Sequence, residues 1–171
     1  MGADTVVLHA GRVMFGGFLR RWDMKRRVKR GKKMIDIFKG ELEQIVPELE
    51  QNKVTLALEN LPYLEGFPAE WEMQEVVGDW VKPWLDTGHD FVRRQSGWTE
   101  MPPAELKPWG LHINDSNGGD DHLPPGEGKV DFAGLKTIAE TARHLVLEPH
   151  ADVTEEALKA SVEFLRKTWA A

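Results

Sequence analysis

Five ionisable residues stand directly after short apolar runs that are spread along most of this chain: His9, Glu59, Asp86, His112 and Glu148. Carboxylates and imidazoles bind divalent cations, and they also act as general acids and bases. Several carboxylates in a confined site repel one another unless protons or a cation neutralise them. The pattern therefore predicts a site that holds a metal ion, if the five positions converge.

The predicted metal ligands are Glu59, Asp86, His112 and Glu148. Three carboxylates and one imidazole, without sulfur, suit Mn²⁺, Mg²⁺ or Co²⁺, and Zn²⁺ is also compatible with them. Taken singly, a carboxylate after a strand is often a helix cap and a histidine is often a packed core residue. To explain the whole set, such a structural interpretation would have to be true independently at each of the successive strand ends.

The elements that must position these residues alternate between strands and helices. Parallel sheets covered on both faces have strands that are apolar throughout. A doubly wound sheet concentrates its chemistry at one switch point, often with a glycine-rich turn after the first strand, and His9-Ala-Gly11 lacks that turn. Site residues at many strand ends favour a (β/α) barrel. The predicted strands are 5–8, 54–58, 81–85, 109–111 and 144–147, and the predicted helices are 32–51 (interrupted at Pro47), 69–77, 132–143 and 154–167.

The length of 171 residues is too short for a complete barrel, which takes about 250 residues. We therefore expect an α/β fold, a partial (β/α)₈ TIM barrel of about five C-terminal βα units, as one incomplete barrel domain over residues 1–171. The first strand already carries a site residue, so the missing units belong before it. A truncated chain, a homo-oligomer or a second chain that completes the barrel all fit this expectation.

Composition excludes several classes of protein. The chain has no cysteine, which excludes disulfide scaffolds, zinc ribbons and cysteine nucleophiles. No apolar stretch is long enough for a membrane span, and the first residues do not resemble a signal peptide. A cytoplasmic protein with no membrane partner is therefore expected.

Charge is distributed unevenly along the chain. The segment Arg20–Lys33 holds nine basic residues and one acid, a local charge of +8, whereas the whole chain carries −6. The strongly acidic remainder disfavours nucleic acid as a partner and favours a small molecule. The basic segment is interpreted as a solvated helix face or a loop.

Several short motifs occur in an order that resembles the xylose-isomerase-like TIM barrel superfamily. That superfamily includes the sugar phosphate isomerases and epimerases and endonuclease IV. The likeness covers essentially the whole chain, from the superfamily's fourth strand to its last helix. The motifs that carry it are Leu58-Glu59-Asn60, Leu85-Asp86-Thr87-Gly88-His89, His112-Ile113-Asn114-Asp115-Ser116, the loop 120–128 (DDHLPPGEG) and Leu147-Glu148-Pro149.

The isomerase branch implies that Glu59 and Glu148 bind the metal and also serve as acid and base on opposite faces of a sugar. Proton removal next to a carbonyl requires an electrophile at the oxygen and a base near the C–H bond, which such a site supplies. The substrate would be a small sugar or sugar phosphate. The residues that the resemblance places near it are His9, His89, Asp120 and His122.

Endonuclease IV is the alternative, because those same four positions match additional zinc ligands of that nuclease. A zinc cluster would then cleave a phosphodiester at abasic DNA. A third interpretation is a non-catalytic metal-binding remnant of the barrel. The short Gly126-Glu127-Gly128 sequence is more typical of a turn than of a phosphate-binding loop.

Overall fold

The structure is a computed structural model that describes residues 2–13, 24–97 and 103–170. The chain divides into two compact units, Met1–Pro83 and Trp84–Ala171. Both contain parallel strands and helices. Within the described residues, no helix combines the length and hydropathy that crossing a membrane requires.

The first unit contains two small strand pairings and one long helix. β1 (Thr5–Leu8) and β3 (Thr55–Glu59) are parallel, with Leu8 opposite Leu58, and every residue of β3 is buried. β2 and β4 form a short antiparallel pair that the sequence analysis did not predict. The elements of this unit are β1 (Thr5–Leu8), β2 (Gly11–Arg12), α1 (Met24–Asn52), β3 (Thr55–Glu59), β4 (Gly66–Phe67), α2 (Glu70–Met73) and the start of β5 (Val81–Asp86).

Helix α1 corrects the predicted helix at two points. Its described part already includes Met24, before the predicted start near residue 32, and the helix continues through Pro47. A proline inside a helix removes one hydrogen bond and leaves a carbonyl group four residues earlier without its donor. Pro47 is exposed, so that carbonyl group can bind water instead.

The basic segment is not wholly solvated, which is a second correction. Positions 20–23 lie outside the described residues, but Arg27 is fully buried. Its guanidinium donates two hydrogen bonds to Glu72, at 2.6 and 2.8 Å, and further hydrogen bonds to the carbonyl oxygens of Leu64 and Gly66. A buried arginine needs this complete set of partners, because an unpaired buried charge is very unfavourable.

The second unit contains the end of β5 and two further parallel strands. Asp86 of β5 lies opposite His112 of β6, and Leu111 of β6 lies opposite Leu145 of β7. Helix α6 begins after Thr154, whose hydroxyl oxygen accepts a hydrogen bond from the Ala157 N–H. The remaining elements are α3 (Thr87–Gln95), α4 (Pro103–Leu106), β6 (Gly110–Ile113), α5 (Lys136–Thr141), β7 (His144–Leu147) and α6 (Glu155–Ala170).

All five predicted strands are present: 5–8 and 144–147 have the predicted bounds, and the bounds of the other three differ by one or two residues. Helix α5 is shorter than predicted, because the chain before it turns: the Asp131 carboxylate accepts a hydrogen bond from the Gly134 N–H. That local bond competes with helix formation.

Candidate functional site

In the first unit, the residue that follows β1 contacts the last residue of β3. The pairing of Leu8 with Leu58 brings His9 and Glu59 side by side, and His9 Nε2 lies 3.1 Å from Glu59 Oε2. The Glu59 side chain is 1% exposed, whereas that of His9 is 57% exposed. The exposed His9 imidazole therefore lies between the buried Glu59 carboxylate and solvent.

In the second unit, three predicted ligands come from the carboxyl ends of three adjacent parallel strands. Asp86 lies opposite His112 and His112 opposite Val146, so these side chains point to the same face of the sheet. Glu148, two residues beyond Val146, points to that face as well. Its N–H donates a hydrogen bond to the Ile113 carbonyl oxygen, which continues the strand pairing to this point.

These three side chains are close enough to share a cation. His112 Nδ1 lies 2.7 Å from Glu148 Oε2, and Asp86, His112 and Glu148 each offer a ligand atom within 4.8 Å of the others. Asp86 is fully buried, His112 is mostly buried and Glu148 is 41% exposed. The trio therefore extends from the protein interior to solvent.

Asp86 is held rigidly by its surroundings. One carboxylate oxygen accepts a hydrogen bond from the His89 N–H at 2.7 Å and so caps helix α3. The other oxygen accepts a hydrogen bond from Asn114 Nδ2 at 2.6 Å. The Asn114 oxygen in turn accepts a hydrogen bond from the His122 N–H. Asn114 thus links the first carboxylate ligand to the loop that follows β6.

A second group of potential ligands shares Asp86. Asp86, His89 and His122 offer ligand atoms within 4.8 Å of one another, and the two imidazole rings are 5.2 Å apart. Asp121 Oδ2 lies 3.7 Å from His89 Nε2, and Asp121 Oδ1 lies 3.8 Å from His122 Nδ1. Asp120, the predicted residue, contacts His150 at 3.3 Å.

Asp115 organises the loop that carries Asp120 and His122. Its buried carboxylate accepts hydrogen bonds, all of 2.8–2.9 Å, from the N–H groups of Ser116, Gly126, Gly128 and Val130. The N–H groups of both glycines are therefore already engaged within the protein. This arrangement supports the interpretation of residues 126–128 as a turn rather than a phosphate-binding loop.

Two aromatic side chains, Trp84 and His144, lie on the amino-terminal side of the cluster formed by Asp86, His112 and Glu148. Trp84 is buried, stacks on His144 at 6.0 Å and meets His112 edge-on at 5.1 Å between ring centroids. Gly110 lies opposite Trp84, and a Cβ atom at that position would overlap the indole ring. These two aromatic side chains fix the orientation of His112 from beneath.

Three residues of this region are absent from the predicted site: Asn114, Asp115 and Asp121. The first two follow β6 directly, within the same HINDS motif as His112, and the signal of polar residues at a strand's carboxyl end applies to them equally. No local signal distinguishes Asp121 from Asp120, because the loop's path decides which carboxylate approaches His89.

Comparisons with known proteins identify the fold. A sequence profile described as xylose isomerase-like TIM barrel matches residues 1–168. No curated protein matches the chain. Similar solved structures include a D-tagatose 3-epimerase-like protein, with a TM-score of 0.67 and 22% identity over 97% of this chain and 62% of that one.

Two further structures agree with this fold. The TTHB071 protein from Thermus thermophilus, soaked with ZnCl₂, has a TM-score of 0.63 and 24% identity over 99% of this chain and 62% of its own. A D-psicose 3-epimerase in the presence of D-fructose has a TM-score of 0.63 and 13% identity, over 98% of this chain and 65% of that one. This chain thus spans less than two thirds of the length of each.

These findings confirm the predicted fold class, an α/β partial (β/α)₈ barrel, on the strands β1, β3, β5, β6 and β7. The prediction of one domain over residues 1–171 and the predicted roles of individual side chains stay predictions. With its profile match over residues 1–168, the chain belongs to the xylose isomerase-like TIM barrel family.

Proposed function

We propose that this chain contributes the metal site of a divalent-metal-dependent sugar or sugar-phosphate isomerase or epimerase, acting by proton transfer next to a carbonyl. The observation that carries the proposal is the cluster of Asp86, His112 and Glu148 at three adjacent strand ends. The similar structures named as D-tagatose 3-epimerase-like and D-psicose 3-epimerase support the substrate class.

The donor set fits a divalent cation. Two carboxylates and an imidazole have ligand atoms within 4.8 Å of one another, and oxygen and nitrogen donors of this kind suit Mn²⁺, Mg²⁺, Co²⁺ or Zn²⁺. Burial of the Asp86 carboxylate makes a neutralising positive charge favourable there. Glu59 is proposed as the fourth ligand, because it lies at the carboxyl end of its own strand, as each of these three lies at or near the carboxyl end of its strand, and because the family resemblance implies it.

With a cation bound, the chain's own residues would each have a separate role in the proton transfer. A bound divalent cation supplies an electrophile for the substrate carbonyl. Glu148 or Glu59 removes the proton next to that carbonyl, and the other glutamate returns a proton from the opposite face of the sugar. His112 contacts Glu148 and orients its carboxylate, as His9 does for Glu59.

The remaining predicted residues are proposed to bind sugar hydroxyl groups. His89 and His122 lie together beside Asp86, and Asp120 lies in the same loop as His122. An imidazole can donate a hydrogen bond to a hydroxyl or accept one from it, and a carboxylate accepts one. A cytoplasmic location and a partner that completes the barrel stay predictions.

Replacement of either glutamate tests the proton transfer. Glu148→Gln and Glu59→Gln each remove a proton acceptor while keeping the side-chain volume, so we expect turnover to fall by about 10²–10⁴-fold. Ketoses such as D-fructose and D-tagatose are incubated in D₂O with the chain and Mn²⁺ or Co²⁺. Mass spectrometry then measures deuterium incorporated at carbon.

Glu156→Gln is the matched control, because Glu156 is exposed on helix α6. It should leave deuterium exchange unchanged, and circular dichroism should show all three variants folded. Full exchange activity in Glu148→Gln would overturn the assignment of acid and base.

An endonuclease IV-like zinc phosphodiesterase is the second candidate, and the group of Asp86, His89 and His122 favours it. Two imidazoles and a carboxylate are a donor set that suits zinc. Two or three zinc ions per chain, together with cleavage of abasic duplex DNA, would support this candidate. One metal ion per chain with deuterium exchange into a ketose and no DNA cleavage would support the sugar enzyme, and metal binding without either activity would indicate the non-catalytic remnant.

A further inference from the structure

One face of helix α1 carries charges that alternate in sign along its length. The residues that share this α1 face are spaced by three or four positions, the spacing that places side chains on one side of a helix. From its amino end to its carboxyl end the α1 face reads Val28, Lys32, Asp36, Lys39, Glu43 and Pro47. Lys39 is partly buried and the other five are exposed, Val28 by 37%.

The order of these residues makes the α1 face complementary to itself. When a second copy of the helix is laid antiparallel about the point between Asp36 and Lys39, Lys32 meets Glu43 of the second copy. Asp36 then meets Lys39, and Val28 meets Pro47. A two-fold axis repeats every such pair, because residue i contacts j and residue j contacts i. We propose that two copies of this chain associate through antiparallel packing of their α1 faces.

A groove beside the acidic half of α1 adds an apolar component. It has a volume of about 630 Å³, and its apolar lining includes Leu42, Val46, Pro47, Val76 and Trp80. In the antiparallel arrangement, Val28 of the second copy lies at its Val46–Pro47 wall. Burial of an exposed valine in such a site removes apolar surface from water and favours association.

The rim of this groove is acidic and therefore suits the basic half of another α1. Glu43, Glu50, Glu75 and Asp79 line it together with Lys39. Lys29, one turn before Lys32, is exposed, and it faces the stretch between Glu43 and Glu50 of the second copy. Opposite charges on the two halves of one helix select a second copy in antiparallel orientation and disfavour the parallel one.

The ion pair that Lys39 makes within its own chain does not prevent it from pairing with Asp36 of the second copy. Lys39 Nζ lies 3.6 Å from Glu75 Oε2, with the two side chains 44% and 53% exposed. Ion pairs this exposed contribute little to stability. Lys39 can therefore turn toward Asp36 of the second copy at small cost.

A charge swap within one chain tests the arrangement by sedimentation velocity over a range of concentrations. Glu43→Lys places like charges opposite each other twice per dimer, so we expect the dimer dissociation constant to rise about tenfold or more. Lys32→Glu should do the same. The double variant Lys32→Glu/Glu43→Lys restores both pairs with reversed polarity and should recover wild-type association.

Glu48→Lys is the matched control, because it makes the same charge change on the opposite side of α1. It should associate as the wild type does, and association of the wild type should weaken as salt rises. Circular dichroism confirms that each variant is folded. A wild-type chain that stays monomeric at every concentration, an equal effect of Glu48→Lys and Glu43→Lys, or a double variant that does not recover would each overturn the proposal.

Discussion

His9, which contacts Glu59, is a residue whose replacement distinguishes the proposed sugar enzyme from the zinc phosphodiesterase. His9 is 57% exposed and touches Glu59 at 3.1 Å, a geometry in which it orients a carboxylate without being buried itself. In a single-metal sugar enzyme, His9→Ala should therefore lower kcat/KM only about tenfold. In a zinc cluster it would remove a ligand.

Elemental analysis of the His9→Ala variant distinguishes these outcomes. An unchanged metal content beside the modest kinetic loss supports the sugar enzyme. Loss of one zinc ion per chain, together with loss of nearly all activity, would contradict it and support the phosphodiesterase.

Asp90 on helix α3 gives the stability of the folded protein a pH dependence. Burial raises the pKa of its carboxyl group above the ordinary value of 3.8, although hydrogen bonds from Arg94 and the charges of Arg94 and Arg93 act in the opposite direction. A raised pKa in the folded state means that the folded protein binds this proton more tightly. The stability due to this group is complete below pH 3.8 and is lost as pH rises through the raised pKa.

Asp90→Asn should remove this contribution. Urea unfolding of the wild type and the variant is measured from acid to neutral pH, and the wild type should lose stability relative to the variant as pH increases. A relative gain with increasing pH would show that pairing with Arg94 outweighs the effect of burial.

At the scale of elements, the loop after β6 depends on one buried carboxylate. Asp115 accepts four backbone hydrogen bonds, and three of them tie residues 126–130 to the end of β6. Asp115→Asn replaces acceptor oxygen with an NH₂ group that faces N–H donors, so we expect a loss of about 3 kcal/mol in the free energy of unfolding.

Urea denaturation measures this loss, and limited proteolysis reports the opening of the loop. Asp152→Asn is the control, because Asp152 is exposed and should tolerate the change. Equal stability of Asp115→Asn and the wild type would mean that the loop is held by other contacts.

Helix α3 and the candidate metal site share Asp86. Its carboxylate caps the helix through the His89 N–H, and Asp86 lies beside His112 near the carboxyl ends of β5 and β6. The interpretation of a strand-end acid as a helix cap therefore applies to Asp86, but capping does not compete with metal binding, since each carboxylate oxygen can accept more than one partner.

At the scale of the whole molecule, metal binding should stabilise the folded chain. A ligand that binds only the folded state adds about 2.7 kcal/mol at a concentration about one hundred times its dissociation constant. We expect Tm to rise with added Mn²⁺ or Co²⁺ and to return to its starting value with chelator. Thermal unfolding followed by circular dichroism measures the change.

Asp86→Asn is the informative variant for this experiment. Its remaining oxygen can still cap α3, but its NH₂ group faces the Asn114 Nδ2 donor, so the metal-free Tm should fall. The metal-dependent rise above that lower starting value should be lost. A rise of the same size in Asp86→Asn would show that the metal binds elsewhere.

The order of the strands along the chain, and the ionisable residue at or near the carboxyl end of each strand, follow from the sequence alone. Strand formation follows from short apolar runs, and the ionisable residue after each run marks the carboxyl end of a parallel strand. His9, Glu59, Asp86, His112 and Glu148 are therefore visible without coordinates. The family profile and the similar structures confirm the fold that this pattern predicted.

Which side chains contact one another depends instead on tertiary packing. Arg27 belongs to a basic segment that looks solvated, and it is buried because Glu72, 45 residues later, comes within hydrogen-bonding distance. Asp121 rather than Asp120 approaches His89 because the loop's path is set by its hydrogen bonds to Asp115 and Asn114. Contacts of this kind depend on the packing of distant segments, and local sequence patterns carry no information about that packing.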